Sequence, residues 1–265
     1  MGEEFKGKLI KLIKNEPALI IEDGKRHLVL GDLHIGFEKG LSLKGIKIPS
    51  QTDKLAKKII ELIRKNSVSS LIILGDIKHE FVTIKPYEWF DIPKFFEEIL
   101  KEGIEVKVTL GNHDGGLDAL LPPKVKLFKK ITKSFSFGKI TFLHGHTWIG
   151  KEALNSHYIM MGHHHFTYRF KDTHKREPVW VFARWSRYKL SKILKVQESS
   201  IGDPTIIIFP AFNQILSGYC INCERNEERE LNPLFRERLI DRRRSEIFSL
   251  DYSYLRSFAN LPYPS

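Results

Sequence analysis

The first half of the chain alternates short apolar runs with stretches of helical periodicity. Two apolar runs flank Asp23-Gly24 in PALIIEDGKRHLVLGD, and this spacing predicts a β-hairpin with a tight turn. From Ser50, SQTDKLAKKIIELIRKN carries apolar residues at helical spacing and predicts an amphipathic helix. The continuous run VSSLIILGD is too short for a second such helix, so it predicts a strand buried on both faces.

The following segments repeat this order and then become richer in strands. Asp91 is predicted to cap a helix through IPKFFEEILKE that ends at Gly103, and IEVKVTLGNHD follows as a strand. KITFLHGH, SHYIMMGHHH, PVWVF and PTIIIFP are further apolar runs between polar turns. The early order predicts parallel crossover units, and the later strands could pair as hairpins. We expect a mixed α/β sandwich in one domain spanning residues 1–265.

Composition narrows the class of protein. With 265 residues, 42% of them hydrophobic, the chain can bury a substantial core. No apolar run approaches the roughly 18 residues of a membrane-spanning helix, and the N-terminus lacks a secretory pattern, so we expect a cytoplasmic protein without membrane contact. The net charge of +11 favours an anionic partner such as nucleic acid, with anionic metabolites as the alternative.

The two cysteines, Cys220 and Cys223, form a C-x-x-C pair. A structural zinc site usually needs four ligands, and no second pair accompanies them. We expect paired or free structural thiols and assign them no function.

The polar residues that follow the apolar runs predict a metal site. Five runs end respectively in Gly31-Asp32 with His34, Gly75-Asp76, Gly111-Asn112-His113-Asp114, His144-Gly145-His146, and Gly162-His163 with His165. Taken singly, these are a turn, a helix cap or a solvated strand end. In α/β sheets, however, ligands gather beyond the carboxyl ends of strands, so the five ends can share one site. Carboxylates, an amide and imidazoles without thiolate suit Mn, Fe, Co or Zn.

The stretch MGHHHF carries three consecutive histidines. If the chain is still extended there, His163 and His165 lie on one side and His164 on the other. Two histidines on one side supply half a metal site, and the alternative is a polar strand end with solvated imidazoles.

The motifs GDLHIG, GDIKHE, GNHD, HGHT and GHHH resemble, in this order, the five motifs of the calcineurin-like metallophosphoesterases. The pattern is most similar to phosphoesterases related to the SbcD nuclease, including a branch associated with DNA ligases. The resemblance implies a four-layer αββα fold, in which two mixed sheets form a sandwich flanked by helices. It also implies a cofactor of two divalent ions, above all Mn, with Fe, Co, Ni or Zn as alternatives.

The resemblance further implies the two ligand sets. The first ion would be held by Asp32, His34, Asp76 and His165. The second would be held by Asp76, Asn112, His144 and His163. Asp76 would bridge both ions, and His164 would be a bystander.

The resemblance also implies the remaining roles at the site. In HGHT it favours His144 over His146 as the ligand, which leaves His146 close to substrate. His113 would stabilise the transition state and protonate the leaving oxygen, with Asp114 orienting its imidazole. Support of the metal site is the alternative role for His113.

Two cations about 3.5 to 4 Å apart can bind phosphoryl oxygens and activate a bridging water, so metal-bound hydroxide would be the nucleophile. We therefore predict a phosphodiesterase that hydrolyses nucleotide or nucleic-acid phosphates. The alternatives are a small-molecule phosphatase, a cyclic-nucleotide phosphodiesterase, or a non-catalytic scaffold on the same fold. The sequence leaves the oligomeric state open.

Two basic segments surround these motifs. Residues 166–200 interleave basic and aromatic residues, which could bind single-stranded DNA or RNA. The alternative is an amphipathic hairpin with its aromatics in the core. His79 and Arg169 are candidate substrate contacts. The charged C-terminal segment, residues 221–265, contains RERLIDRRRSE, which we interpret as a solvated helical face.

Overall fold

The first sheet consists of the predicted hairpin, the short strand that precedes it and the strands that follow it. The protein is described by a computed structural model at residues 9–43, 45–81, 83–223 and 232–260. The six strands, in sheet order, are β1 (Ile10–Leu12), β2 (Leu19–Asp23), β3 (Lys25–Leu30), β4 (Ser70–Ile73), β5 (Glu105–Thr109) and β6 (Val125–Phe128). β1 to β3 pair antiparallel and β3 to β6 pair in parallel, which confirms the predicted crossover units.

Helices connect the parallel strands. The chain passes through α1 (Phe37–Leu43) and α2 (Thr52–Lys65) between β3 and β4, and through α3 (Glu88–Leu100) between β4 and β5. The amphipathic helix predicted from Ser50 is α2. The predicted cap at Asp91 is wrong, because α3 already begins at Glu88. The Glu88 carboxylate accepts a hydrogen bond from the Lys85 backbone N–H at 2.8 Å and so closes the turn that starts the helix.

The second sheet mixes parallel and antiparallel pairs. Its strands are β7 (Ile131–Phe135), β8 (Gly138–Leu143), β9 (Tyr158–Met161), β10 (Thr167–Arg169), β11 (Arg176–Ala183), β12 (Thr205–Ile208), β13 (Glu246–Ser249) and β14 (Tyr254–Ser257). The order is β14-β13-β11-β12-β9-β8-β7, with β10 paired to β11. β8, β9 and β12 pair in parallel, so they do not form the expected hairpins. The expectation holds for the antiparallel pairs β7–β8, β10–β11 and β13–β14.

Three buried clusters separate four layers. Leu55 of α2 and Leu71 of β4 share the cluster on the outer face of the first sheet. The next residue of β4, Ile72, points the other way and shares the inter-sheet cluster with Met160. Leu190, in α4 (Arg187–Leu194), belongs to the cluster on the outer face of the second sheet. The αββα architecture is therefore confirmed, and the single-domain interpretation stays a prediction.

Segment 166–200 is mainly structural. Trp180 and Trp185 have no exposed surface, and both lie in buried clusters, as the amphipathic alternative requires. Tyr188, at 60% exposure, is the aromatic of this segment that most faces solvent. Stacking of bases on the two tryptophans would require the core to open.

The C-terminal segment differs from the expected helical face. Residues 224–231 and 261–265 lie outside the described part of the chain. The short helix α5 (Pro233–Arg236) is followed by buried Leu239 and Ile240 and then by a single 3-10 turn at Arg242–Arg244. The helical interpretation of RERLIDRRRSE is wrong because these two apolar side chains fold into the core and break the periodicity.

Two further sequence predictions concern the cysteines and the membrane. Cys220 and Cys223 form a disulfide, which agrees with the paired-thiol alternative. Among the described residues, every helix is too short or too polar to cross a bilayer. The cytoplasmic location stays a prediction.

Candidate metal centre

The seven predicted ligands follow the carboxyl ends of five parallel strands, two of them in the second sheet. Asp32 and His34 follow β3, Asp76 follows β4, Asn112 follows β5, His144 follows β8, and His163 and His165 follow β9. The structure brings these side chains together in two adjoining groups. We call Asp32, His34, Asp76 and His165 the first half-site. Asp76, Asn112, His144 and His163 form the second half-site.

Asp76 is common to both half-sites. Within each group of His and Asp side chains, the candidate ligand atoms lie within 4.8 Å of one another. A single oxygen of Asp76, Oδ2, lies 3.3 Å from Nε2 of His34 and 3.3 Å from Nε2 of His144. The carboxylate therefore stands where a bridging ligand would have to be.

Hydrogen bonding fixes the imidazole of His144. Its Nδ1 lies 2.7 Å from the carbonyl oxygen of Leu74, which can only accept, so Nδ1 carries a proton. Its Nε2 lies 3.1 Å from Oδ1 of Asn112 and faces Asp76 as well. A backbone carbonyl that holds one ring nitrogen while the other faces a cluster of oxygens is the usual arrangement around a metal-bound histidine.

Two histidines of the first half-site direct a ring nitrogen at a carboxylate. Nε2 of His34 lies 3.3 Å from Asp76 and Nε2 of His165 lies 3.2 Å from Asp32, but neither contact has the geometry of a hydrogen bond. Burial lowers the pKa of His34 to about 4 and also lowers the pKa of His163, so both rings are neutral at pH 7. Neutral imidazole is the form that binds metal. Two orphaned nitrogens beside two carboxylates fit a divalent cation.

Both carboxylates of the centre are ionised. Burial raises the pKa of Asp32, but His165 and then His144 bring it below its ordinary value. Burial acts in the same direction on Asp76, where His144 and His34 hold the pKa well below the ordinary range. Negative charge is thus stabilised at the position that a pair of cations would share.

The backbone is left-handed at most of these ligands. Positive φ values occur at Asp32 (59°), His34 (43°), Asp76 (52°), His163 (76°) and His165 (49°). Side-chain-bearing residues rarely adopt this conformation, and it concentrates at functional sites. Five of the seven candidate ligands therefore sit on backbone that the rest of the fold must stabilise.

This geometry corrects the reason for the histidine pairing in MGHHHF. β9 ends at Met161, so the chain is not extended at the histidines. His163 and His165 reach neighbouring half-sites because both have left-handed backbone. His164 is buried and stacks on Phe166, with ring centroids 4.8 Å apart and planes at 8°. This position agrees with its expected role as a bystander.

Two glycines allow the loops to approach the carboxylates. A Cβ at Gly111 would lie 2.1 Å from Oδ1 of Asp76, and a Cβ at Gly162 would lie 2.4 Å from Oδ2 of Asp32. Any other residue at either position would displace a candidate ligand.

His113 lies beside the first half-site. Its backbone N–H donates to Oδ1 of Asp76 at 3.0 Å, and its ring nitrogen Nδ1 faces the carbonyl oxygen of His79. The carbonyl requires a proton on Nδ1, which leaves Nε2 available to a substrate. His34, His79 and His113 also bring their ring nitrogens within 4.8 Å of one another.

Asp114 occupies a different position from the one that the resemblance implies. Its buried carboxylate accepts hydrogen bonds of 2.8 Å from the backbone N–H groups of Gly111, Asp76 and Ile77. The His79 carbonyl, rather than Asp114, contacts the His113 ring. Burial and then the charge of Asp76 raise the pKa of Asp114 to about 6. Asp114 therefore joins the loop of Asp76 to the loop of Asn112.

The three candidate substrate contacts lie in different environments. His79 places Nδ1 3.5 Å from Nδ1 of His34. The half-buried ring of His146 lies 5.3 Å from that of His144, and its Nδ1 lacks a partner. Arg169 is exposed on β10, and no hydrogen bond or ion pair joins it to the half-sites within the described ranges. The structure thus brings two of the three to the centre.

Sequence reasoning missed two residues at the centre. Asn213 is buried, donates from Nδ2 to the carbonyl oxygen of Leu33 at 2.9 Å, and thereby supports the turn that carries Asp32. Its only sequence signal is its position just after the apolar end of β12. Phe81 lies 5.4 Å from the ring of His113 and is 56% exposed. It follows His79 and Glu80 in the second motif.

Comparison with known protein families agrees with this geometry. The model of the calcineurin-like phosphoesterase family matches residues 25–209, which include all seven candidate ligands. The chain belongs to this family. Calcineurin-like phosphoesterases hydrolyse phosphoesters with divalent metal ions, and the His and Asp groups of this chain supply suitable ligands.

Several solved structures are similar to this chain, one of them over most of its length. The nuclease MPE of Pseudomonas putida is 17% identical, with 90% of this chain and 92% of that chain covered and a TM-score of 0.54. The E. coli phosphoesterase YfcE is 16% identical over 57% and 76% of the two chains, with a TM-score of 0.37. An archaeal phosphodiesterase is 17% identical over 71% and 86%, with a TM-score of 0.37. Comparison with curated protein sequences gives no significant match.

Proposed function

We propose that this calcineurin-like phosphoesterase is a dinuclear phosphodiesterase that acts on nucleotide or nucleic-acid phosphates and is most active with Mn²⁺. The observation that supports two ions is the shared oxygen of Asp76, which lies at the same distance from one histidine of each half-site. Asp32, His34, Asp76 and His165 would hold the first ion. Asp76, Asn112, His144 and His163 would hold the second.

The bound ions would supply positive charge for the phosphoryl oxygens and would acidify water at neutral pH. The protein residues would then handle the proton of the leaving group. The Nδ1 of His113 is engaged by the His79 carbonyl, so Nε2 of a protonated His113 can donate to the leaving oxygen. The backbone N–H of His113 bonds to Asp76, which ties the position of this acid to the bridging ligand.

Charge and fold support a nucleotide or nucleic-acid substrate. The net charge of +11 favours polyanionic substrates. The exposed turn between β10 and β11 contributes Lys171 and Lys175, and the exposed start of β11 contributes Arg176. The nuclease MPE has a similar fold over 90% of this chain, and its name indicates a nucleic-acid substrate. Single-stranded DNA and RNA are therefore the first polymers to test.

The decisive experiment compares a chromogenic phosphodiester with its phosphomonoester. Metal-stripped protein would be resupplied with Mn²⁺, and Asp76→Asn would be measured beside Asp172→Asn, a matched change in the exposed β10–β11 turn. We expect diester turnover that requires Mn²⁺, disappears in Asp76→Asn and persists in Asp172→Asn. Preference for the monoester would favour a small-molecule phosphatase. No turnover of either compound by folded protein, with any divalent ion, would favour the scaffold.

A further inference from the structure

Phe81 is an exposed aromatic side chain beside the proposed general acid. Its ring centroid lies 5.4 Å from that of His113, with the two planes at 87°. His113 is also stacked with His79, with ring centroids 5.8 Å apart and planes at 14°. Phe37 in turn lies 5.0 Å from His79. Phe81 is therefore the last of four successive rings, and it is the one with the most exposed surface, at 56%.

Exposure alone does not distinguish Phe81, because single exposed apolar side chains are common on proteins. Phe90, at 75% exposure in the first turn of α3, is such a side chain. The difference is location. Phe81 is held against an imidazole that lies beside the first half-site, so its ring is available to a group linked to a phosphate bound there.

The chemistry of a flat, solvent-facing aromatic surface next to a phosphate site matches one class of ligand. A nucleobase is an aromatic ring separated from its phosphate by one sugar, and it stacks well on phenylalanine whatever its sequence. The ring that contacts His113 would lie on the side of the phosphate that His113 serves. A substrate without a base on that side would leave the Phe81 face in water.

We propose that Phe81 is the stacking platform for the nucleobase attached to the ester oxygen that His113 protonates, so that it selects nucleoside over simple alkyl leaving groups. This inference rests on the proposed phosphodiesterase function. It adds a specificity residue that contacts the base, whereas the half-sites contact the phosphate.

The test uses the dinucleotide dTpdT and two analogues in which one nucleoside or the other is replaced by an abasic residue. Wild type, Phe81→Ala, Phe81→Trp and the control Phe90→Ala would be compared with Mn²⁺. We expect Phe81→Ala to reduce, by about tenfold, the kcat/KM ratio of dTpdT to the analogue that lacks the base on the leaving side. Phe81→Trp should retain the ratio, and Phe90→Ala should not change it.

Two outcomes would overturn the inference. Equal losses of kcat/KM on all three substrates in Phe81→Ala would mean that the ring merely packs His113. Unchanged kcat/KM on all three substrates would mean that no base contacts the ring. Binding separates this failure from failure of the proposed function. If the wild type cleaves no diester, the phosphodiesterase proposal fails, but calorimetry with thymidine monophosphate and deoxyribose 5-phosphate still decides the role of Phe81. Tighter binding of thymidine monophosphate than of deoxyribose 5-phosphate, lost in Phe81→Ala, supports the role of Phe81. Equal affinities of the wild type for the two compounds reject it.

Discussion

His34 and His144 lie at the same distance from the same Asp76 oxygen, yet their ionisation differs. Burial dominates at His34 and lowers its pKa to about 4. Burial also acts against protonation of His144, but Asp76 and then Asp32, 3.7 Å away, raise its pKa to about 9. Without metal ions, the first half-site has a neutral histidine and the second has a cationic one.

The difference shows that one carboxylate between the two half-sites can face two histidines of unequal ionisation. A metal ion at the first half-site finds a lone pair on His34 that is already free. An ion at the second must displace the Nε2 proton of His144. Metal loading should therefore be stepwise, with the first half-site filled at lower pH than the second.

The largest effect is expected from Asp76→Asn, which removes the residue that both half-sites share. Metal affinity should fall by at least about a hundredfold at both, since losses of mere supporting contacts already cost 10 to 100-fold. Metal content after dialysis against Mn²⁺ measures this. Retention of two ions per chain would show that Asp76 is not the bridge.

Substitution of one half-site at a time should separate the two positions. His34→Gln is expected to lose the first ion and His144→Gln the second, so each variant should hold one ion instead of two, with turnover lost in both. Elemental analysis gives the stoichiometry, and His157→Gln, on the surface, serves as control. Loss of both ions in both variants would mean that the half-sites bind cooperatively and are not independent.

Stability of the metal-stripped protein should respond to pH in opposite directions at the two histidines. The folded pKa of His34 lies below its unfolded value of 6.5, so the unfolded state binds more protons between pH 6.5 and 4, and stability falls as pH decreases through that range. The folded pKa of His144 lies above 6.5, so its contribution is lost as pH rises from 6.5 through about 9. Each contribution is on the order of a few kcal/mol.

Urea unfolding in the presence of a chelator, measured across pH, tests this. His34→Gln should flatten the acidic limb of the stability profile, and His144→Gln should flatten the alkaline limb. A single substitution that flattens both limbs would contradict the separate ionisation of the two rings.

A smaller effect is expected from Asp114→Asn. The carboxylate accepts three backbone hydrogen bonds of 2.8 Å. The NH2 group of an asparagine would face these backbone N–H groups and could not accept from them. A loss of about 1–3 kcal/mol in the free energy of unfolding follows. Because these bonds join the loops of Asp76 and Asn112, the second half-site should weaken more than the first. A changed leaving-group dependence with unchanged metal affinity would restore Asp114 as the orienting partner of His113.

Much of the fold follows from patterns in the sequence. Continuous apolar runs identified the buried strands, and helical spacing identified α2. The start of α3 was missed because the hydrogen bond between the Glu88 carboxylate and Lys85 leaves no periodic signal. Strand pairing in the second sheet could be predicted only in part, because the parallel pair of β9 and β12 joins segments more than forty residues apart in the sequence.

The candidate site was accessible as a set of residue types but not as a geometry. Glycine next to carboxylate or histidine at strand ends indicated which residues could converge. The left-handed backbone at His163 and His165 was not accessible, since neither residue type requires it. The contacts of Asp114 were also hidden, because a carboxylate two residues after an asparagine does not reveal which N–H groups it accepts. These features depend on how the loops pack against one another in the folded protein.

The division of the ligands between the sheets has a consequence for biogenesis. The first half-site takes Asp32, His34 and Asp76 from loops of the first sheet and His165 from the second. The second half-site takes two residues from each sheet. A nascent chain that has folded only its first sheet has no complete set of ligands. Completion of the first half-site therefore requires that His165 has left the ribosome and that the two sheets have docked.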